Sequence, residues 1–133
     1  VNPARTHVLM AYHNIYGTWA WTGGHADGES DLLAVARREA QEETRIEHLT
    51  PIPTGAISLE ILDVPSHVKR GRFVPCHLHL NMTYAFVGDD RDALQNKADE
   101  NRAVRWLPID KLADFVAETA MLPIYRKILQ RIV

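Results

Sequence analysis

"GGHADGESDLLAVARREAQEETRI", residues Gly23 to Ile46, decides how this chain is read. From Ser30 to about Thr44 apolar positions recur at helical spacing, with Leu32 and Val35 on one stripe and Leu33, Ala36 and Ala40 beside it. Ser30, Arg37, Arg38 and Gln41 fall on the opposite side. At about 100° per residue, Glu39, Glu42 and Glu43 occupy an arc of about 100° on the stripe that carries Leu32 and Val35. Three carboxylates therefore crowd the inward edge of one helix. Like charges three or four residues apart cost about 0.2–0.5 kcal/mol per pair, and partial burial adds to that unless a cation is present. A divalent cation reverses the sign. Oxygen-only ligands suit Mg²⁺, with Mn²⁺ as a substitute, better than Zn²⁺, and Mg²⁺ keeps waters that phosphate oxygens can replace. The ligand class implied is phosphorylated.

The rest of the chain sets the frame for that helix. Its 133 residues, 46% hydrophobic and 24% charged, suffice for one domain with a real core. Fifteen Lys and Arg against seventeen Asp and Glu give a formal charge of -2, so no global positive field favours nucleic acid or an anionic membrane. A small-molecule ligand fits better. Cys76 is the only cysteine, which excludes an internal disulfide framework, and no apolar run approaches 18 residues. Together these point to a reducing, cytoplasmic setting.

Along the chain, His7 to His13 alternates as a strand, and "NIYGTWAWTGG" is a turn-rich loop with aromatics. The opening "VNPARTHVLMAYH" reads as the tail of one strand turning through Asn2-Pro3 into another, so the natural protein is expected to carry a further strand ahead of it. "GAISLEILDV" and "FVPCHLHLNMTYAFVG" read as extended. In the second, Leu78, Leu80, Met82, Tyr84 and Phe86 alternate with His77, His79, Asn81 and Thr83, which predicts a buried apolar face and a polar outer one. "AVRWLPID" is a short strand, and "DKLADFV" and "PIYRKILQRIV" read as helices. Strands around a central helix, then closing helices, predict an α/β or α+β domain with a mixed sheet.

The central stretch resembles the Nudix box, G-x5-E-x7-R-E-U-x-E-E-x-G-U with U a bulky aliphatic. Gly24, Arg38, Glu39, Glu42, Glu43 and Ile46 match in register. Ser30 stands where the box has its first glutamate, with Glu29 one residue early, and Arg45 stands where it has its second glycine; Ala40 is small for its aliphatic slot. A glycine there lets the chain leave the helix at positive φ, and another residue costs roughly 1 kcal/mol or exits differently. The looser similarity covers most of the chain, through Trp21 before the Gly-Gly turn, "HLHLNMTYAF" and "DENRAVRWLPIDKL".

This resemblance implies a Nudix-like α/β/α sandwich over residues 1–133 and hydrolysis of a nucleoside diphosphate linked to another moiety. Glu39, Glu42, Glu43 and the Gly23 carbonyl would hold Mg²⁺, with Glu42 or Glu43 as general base and Glu100 as a loop-borne alternative. Arg38 would orient a catalytic glutamate. His25, His77, His79 and Trp21 are candidates to contact substrate. Solvated polar-face roles for the strand histidines and core-edge roles for Tyr16, Trp19 and Trp21 compete with these assignments. "HVKRGR", residues 67–72, is a basic patch that can meet phosphate or stand solvated. A homodimer is implied by resemblance alone. The alternative function is a catalytically weak module binding a nucleotide or an ADP-ribose-like ligand, kept open by Ser30. A Nudix-type isoprenoid isomerase finds no support, because Cys76 has no evident catalytic partner.

Overall fold

The computed structural model describes residues 1–52 and 55–133. Among the described residues nine strands flank one long helix: β1 (His7–His13), β2 (Thr18–Ala20), α1 (Leu32–Thr44), β3 (Leu49–Pro51), β4 (Ser58–Val64), β5 (His67–Lys69), β6 (Arg72–Val74), β7 (His77–Thr83), β8 (Phe86–Gly88) and β9 (Asn101–Pro108). Short 3₁₀ segments, Ile109–Asp114 and Thr119–Met121, lead into the closing helix α2 (Leu122–Leu129). The helix expected in "DKLADFV" is thus a 3₁₀ segment, interrupted where Lys111 leaves helical φ/ψ. That of "PIYRKILQRIV" starts with a proline in its first turn, where the missing N–H costs nothing.

α1 begins two residues later than its periodicity suggests, because Asp31 is the N-cap and its carboxylate accepts the Ala34 N–H at 3.0 Å. At the other end Arg45 adopts the left-handed conformation, φ 61°, and its N–H closes on the Gln41 carbonyl. The helix exit that a glycine makes easy is made here by an arginine.

Among the described residues the strands pair antiparallel, as a three-stranded β2-β1-β9 sheet and the ladders β3-β8, β4-β7 and β5-β6. Met10 and Leu107 form the centre of a core completed by Leu112, Val116, Tyr125, Leu129 and Ile132, so the C-terminal segments cover one face of the sheet. Trp106, next to Leu107 and hence on the opposite face, lies with Ile46 at the end of α1, both against Gly88. Helices on both faces of strands make the α+β sandwich that the sequence implied.

One expectation is inverted. The alternation along β7 is real, but Leu78, Leu80 and Met82 are exposed, Leu80 to 77%, together with Leu59 and Ile61 of the paired β4. His77, His79, Asn81 and Thr83 are the half-buried set. Alternation fixes which residues share a face; it does not say which face turns inward.

Candidate active site

The site is built where the Gly-Gly turn meets the second half of α1. The Gly23 N–H donates to Glu43 Oε1 at 2.8 Å, which clips the turn to the helix. Gly24 lies so close to the Glu39 carboxylate that a Cβ there would collide with it. A side chain there would have to push the Glu39 carboxylate aside. Glu43 is 4% exposed, and burial, reinforced by Glu100 and Glu39, raises its carboxyl to about 7 against the lowering pull of the Gly23 hydrogen bond. Glu39 is also raised, first by burial and next by Glu42. Glu42 sits at the rim with its side chain about half exposed.

Loop residues 97–100 bring a fourth carboxylate and one cation. Lys97 Nζ lies 2.9 Å from Glu100 Oε1 and 3.7 Å from Glu42 Oε2, bridging the loop acid to the helix. Glu100 thus lies close enough to Glu43 to raise its carboxyl. Asn101, wholly buried, donates from Nδ2 to the Glu43 carbonyl at 3.1 Å, while its Oδ1 has no protein partner among the described residues. Lys97 and Asn101 were not singled out in the sequence. Their only signal was adjacency to Glu100, because both act across the fold rather than along it.

Arg38 is oriented by two carboxylates. Its Nη1 meets Glu29 Oε2 at 2.6 Å and its Nη2 lies 3.8 Å from Glu39 Oε1. Glu29, one residue ahead of its box position, reaches Arg38 all the same. The shift is absorbed by the loop, where Asp27 and Gly28 both take positive φ.

Two histidines of β7 gather around His25, which follows the Gly-Gly turn. His25 and His79 stack edge to face at 5.2 Å between ring centroids, His77 and His79 lie at 4.7 Å, and the Nε2 atoms of the latter pair are 2.9 Å apart. Trp21 goes elsewhere: it packs edge-on against Tyr125 at 5.2 Å and joins the core. Trp19 likewise packs edge-on against Tyr12.

The donor set fits a hard divalent cation, since a buried carboxylate, Glu43, and a half-buried one, Glu39, both have raised pKa values that a cation beside them would relieve. Among the described residues no three His, Cys, Asp or Glu side chains already converge tightly enough to hold an ion as they stand. A cation would have to draw Glu39, Glu42 and Glu43 together and displace Lys97.

An α+β sandwich with an acidic helix clipped to a Gly-Gly turn defines a class, and comparison with known proteins gives it a name. The NUDIX domain model matches residues 1–132, so the chain belongs to the Nudix family. A curated relative is the CMP-5'-(N-acetyl-N-hydroxy-3-aminopropyl)phosphonate hydrolase of Streptomyces rubellomurinus, 26% identical over 122 residues, which are 87% of this chain. The match spans 52% of that protein, about half its length. Among solved structures, a C. elegans Ap4A hydrolase in a binary complex superposes with a TM-score of 0.62 at 19% identity. The match covers 94% of this chain and 85% of that one, and it supports the fold.

Proposed function

We propose that this domain is a Mg²⁺-dependent hydrolase of a nucleoside diphosphate linked to a second moiety, with Mn²⁺ as a substitute ion. The observation that carries the reading is Glu43, buried and clipped to the Gly-Gly turn, with Glu39 and Glu100 near enough to raise its carboxyl further. Such a cluster costs stability in a protein with no anionic ligand to bring a cation to it. Membership of the Nudix family and a relative named as a nucleotide phosphonate hydrolase support the same reaction class.

Glu39, Glu43 and the Gly23 carbonyl would hold the cation, with Glu42 completing the set at the mouth. When bound, it supplies neutralisation of charge on the diphosphate and a more acidic water. Glu42, at the rim and reached by solvent, takes the proton as water attacks phosphorus. Glu100 is held by Lys97 and is the alternative base. Arg38 keeps Glu39 aimed through charge-assisted bonds shared with Glu29. His25, His77 and His79 contact substrate. Trp21, packed in the core, supports the turn rather than the substrate.

A panel of nucleoside triphosphates, sugar nucleotides, dinucleoside polyphosphates and nucleotide phosphonates, with Mg²⁺ or Mn²⁺ and product analysis, tests the proposal. Glu42→Gln is expected to lower kcat about 10²–10⁴-fold on the best substrate while the protein stays folded. Parent-like turnover by Glu42→Gln and by Glu43→Gln would sink it. The second reading, a nucleotide-binding module of weak activity, is favoured only by Ser30 at the box position. Tight Mg²⁺-dependent nucleotide binding without phosphate or pyrophosphate release would establish that reading instead.

A further inference from the structure

The face that β4 and β7 turn outward is apolar, and no element of the described residues covers it. Leu59, Ile61, Leu78, Leu80 and Met82 are between 43% and 77% exposed, and they make up half of the large hydrophobic side chains that stand exposed among the described residues. The ladder gathers them. Leu59 pairs with Met82, Ile61 with Leu80 and Asp63 with Leu78, so the five lie on one side of three successive rungs. The other side of the same strands turns inward, with Ser58 and Val64 buried and Glu60 bonded to Lys127 of α2. At roughly 120 Å² of exposed side chain apiece the patch reaches about 600 Å², the upper end of what a monomer leaves uncovered.

The surroundings of the patch discriminate between occupants. An anionic membrane requires cations around the apolar surface. The cations of this ribbon, Lys69, Arg70 and Arg72, stand beyond the patch at the tip of β5-β6, where Arg70 Nη2 lies 3.3 Å from Asp99 Oδ2. A charged protein partner requires matching charges, and on the three rungs the charge is Asp63 alone. A second copy of the chain requires a patch that matches itself and supplies about 800 Å². Aliphatic rungs meet that condition: they give about three quarters of the area, with the apolar centre that homodimer interfaces favour. A two-fold axis crossing the ladder at the Ile61–Leu80 rung also sets the two Asp63 carboxylates at opposite rims, roughly 13 Å apart along the strands. Neither charge then meets its own copy.

We propose that two copies of this chain pair face to face through Leu59, Ile61, Leu78, Leu80 and Met82. Each protomer keeps its own fold, since the five stand outside the buried core. On the inward side of β7, His79 rests against His25, so pairing braces the strand behind those rings. The interface does not depend on which reaction the domain performs.

Sedimentation equilibrium of the full chain, from about 0.1 to about 300 µM, tests the pairing. The parent is expected to reach the mass of two chains, with a dissociation constant in the micromolar range. Leu80→Lys and Ile61→Lys are each expected to raise that constant about 100-fold or more, whereas Ile15→Lys, exposed on the loop between β1 and β2, leaves it unchanged. Melts at a dilution where the parent has dissociated are expected to coincide for the parent and Leu80→Lys, which separates lost pairing from lost folding. A single-chain mass for the parent throughout, or a dimer that both of these lysine variants leave intact, would overturn the interface. So would a parent that stays monomeric and binds phosphatidylserine vesicles through Leu80, an outcome that gives the face to a membrane.

Discussion

At the scale of single residues, the acidic stripe was legible because its signal is local: helical period and like-charge cost are read from five consecutive positions. What was not legible is how unequal the three carboxylates are. Glu43 is buried and raised to about 7, Glu39 is half-buried, and Glu42 stands at the rim. A carboxyl raised from 4.5 to about 7 binds its proton more tightly folded than unfolded. Its ionisation therefore costs nothing below about pH 4.5, costs more as pH rises, and costs the full amount above about 7. In chelator, Glu43→Gln is expected to melt above the parent at pH 8 and to converge with it near pH 4.5, while an oxygen remains to accept the Gly23 N–H. A parent as stable as the variant at pH 8 would mean that burial of this charge carries no penalty. Arg45 is a second residue-scale case, where the sequence named the position and the structure shows the strained exit being made. Arg45→Gly is expected to raise stability by up to about 1 kcal/mol in denaturant melts, and a loss would show that the arginine side chain outweighs its backbone cost.

At the scale of elements, strands were recognised by alternation, and β4 and β7 lie where their patterns put them. The inward face was misassigned because the usual rule assumes that the apolar side meets the core. Here the polar side of β7 turns inward, with His79 against His25 beside the Gly-Gly turn, and the leucines are left outside. The consequence is measurable. Leu80→Thr, in a 77% exposed position on a strand, is expected to change stability by less than about 0.5 kcal/mol. Leu107→Ala, at a position with no exposure, is expected to cost about 2–5 kcal/mol. Equal losses at the two positions would restore the original assignment of faces. The hairpin β5-β6 was visible in the sequence only as a basic patch, since its link to Asp99 spans 29 residues and no local pattern encodes it.

At the scale of the whole molecule, the family and the sandwich could be read from one 24-residue stretch, because the turn and the helix that carry the box are contiguous in the chain. The loop beside the candidate site could be read only in part. Glu100 was named by resemblance, whereas Lys97 and Asn101 owe their contacts to a fold that brings residue 101 onto Glu43 across 58 positions. On the proposed cation-binding reading, Lys97 makes the acidic cluster an ion exchanger already loaded with a monovalent ion. Lys97→Met is expected to tighten Mn²⁺ binding several-fold by calorimetry, and unchanged or weaker binding would deny the exchange. Because that ion is tethered, dilution does not remove it: every divalent cation that enters competes with an ammonium whose concentration is set by the length of a side chain.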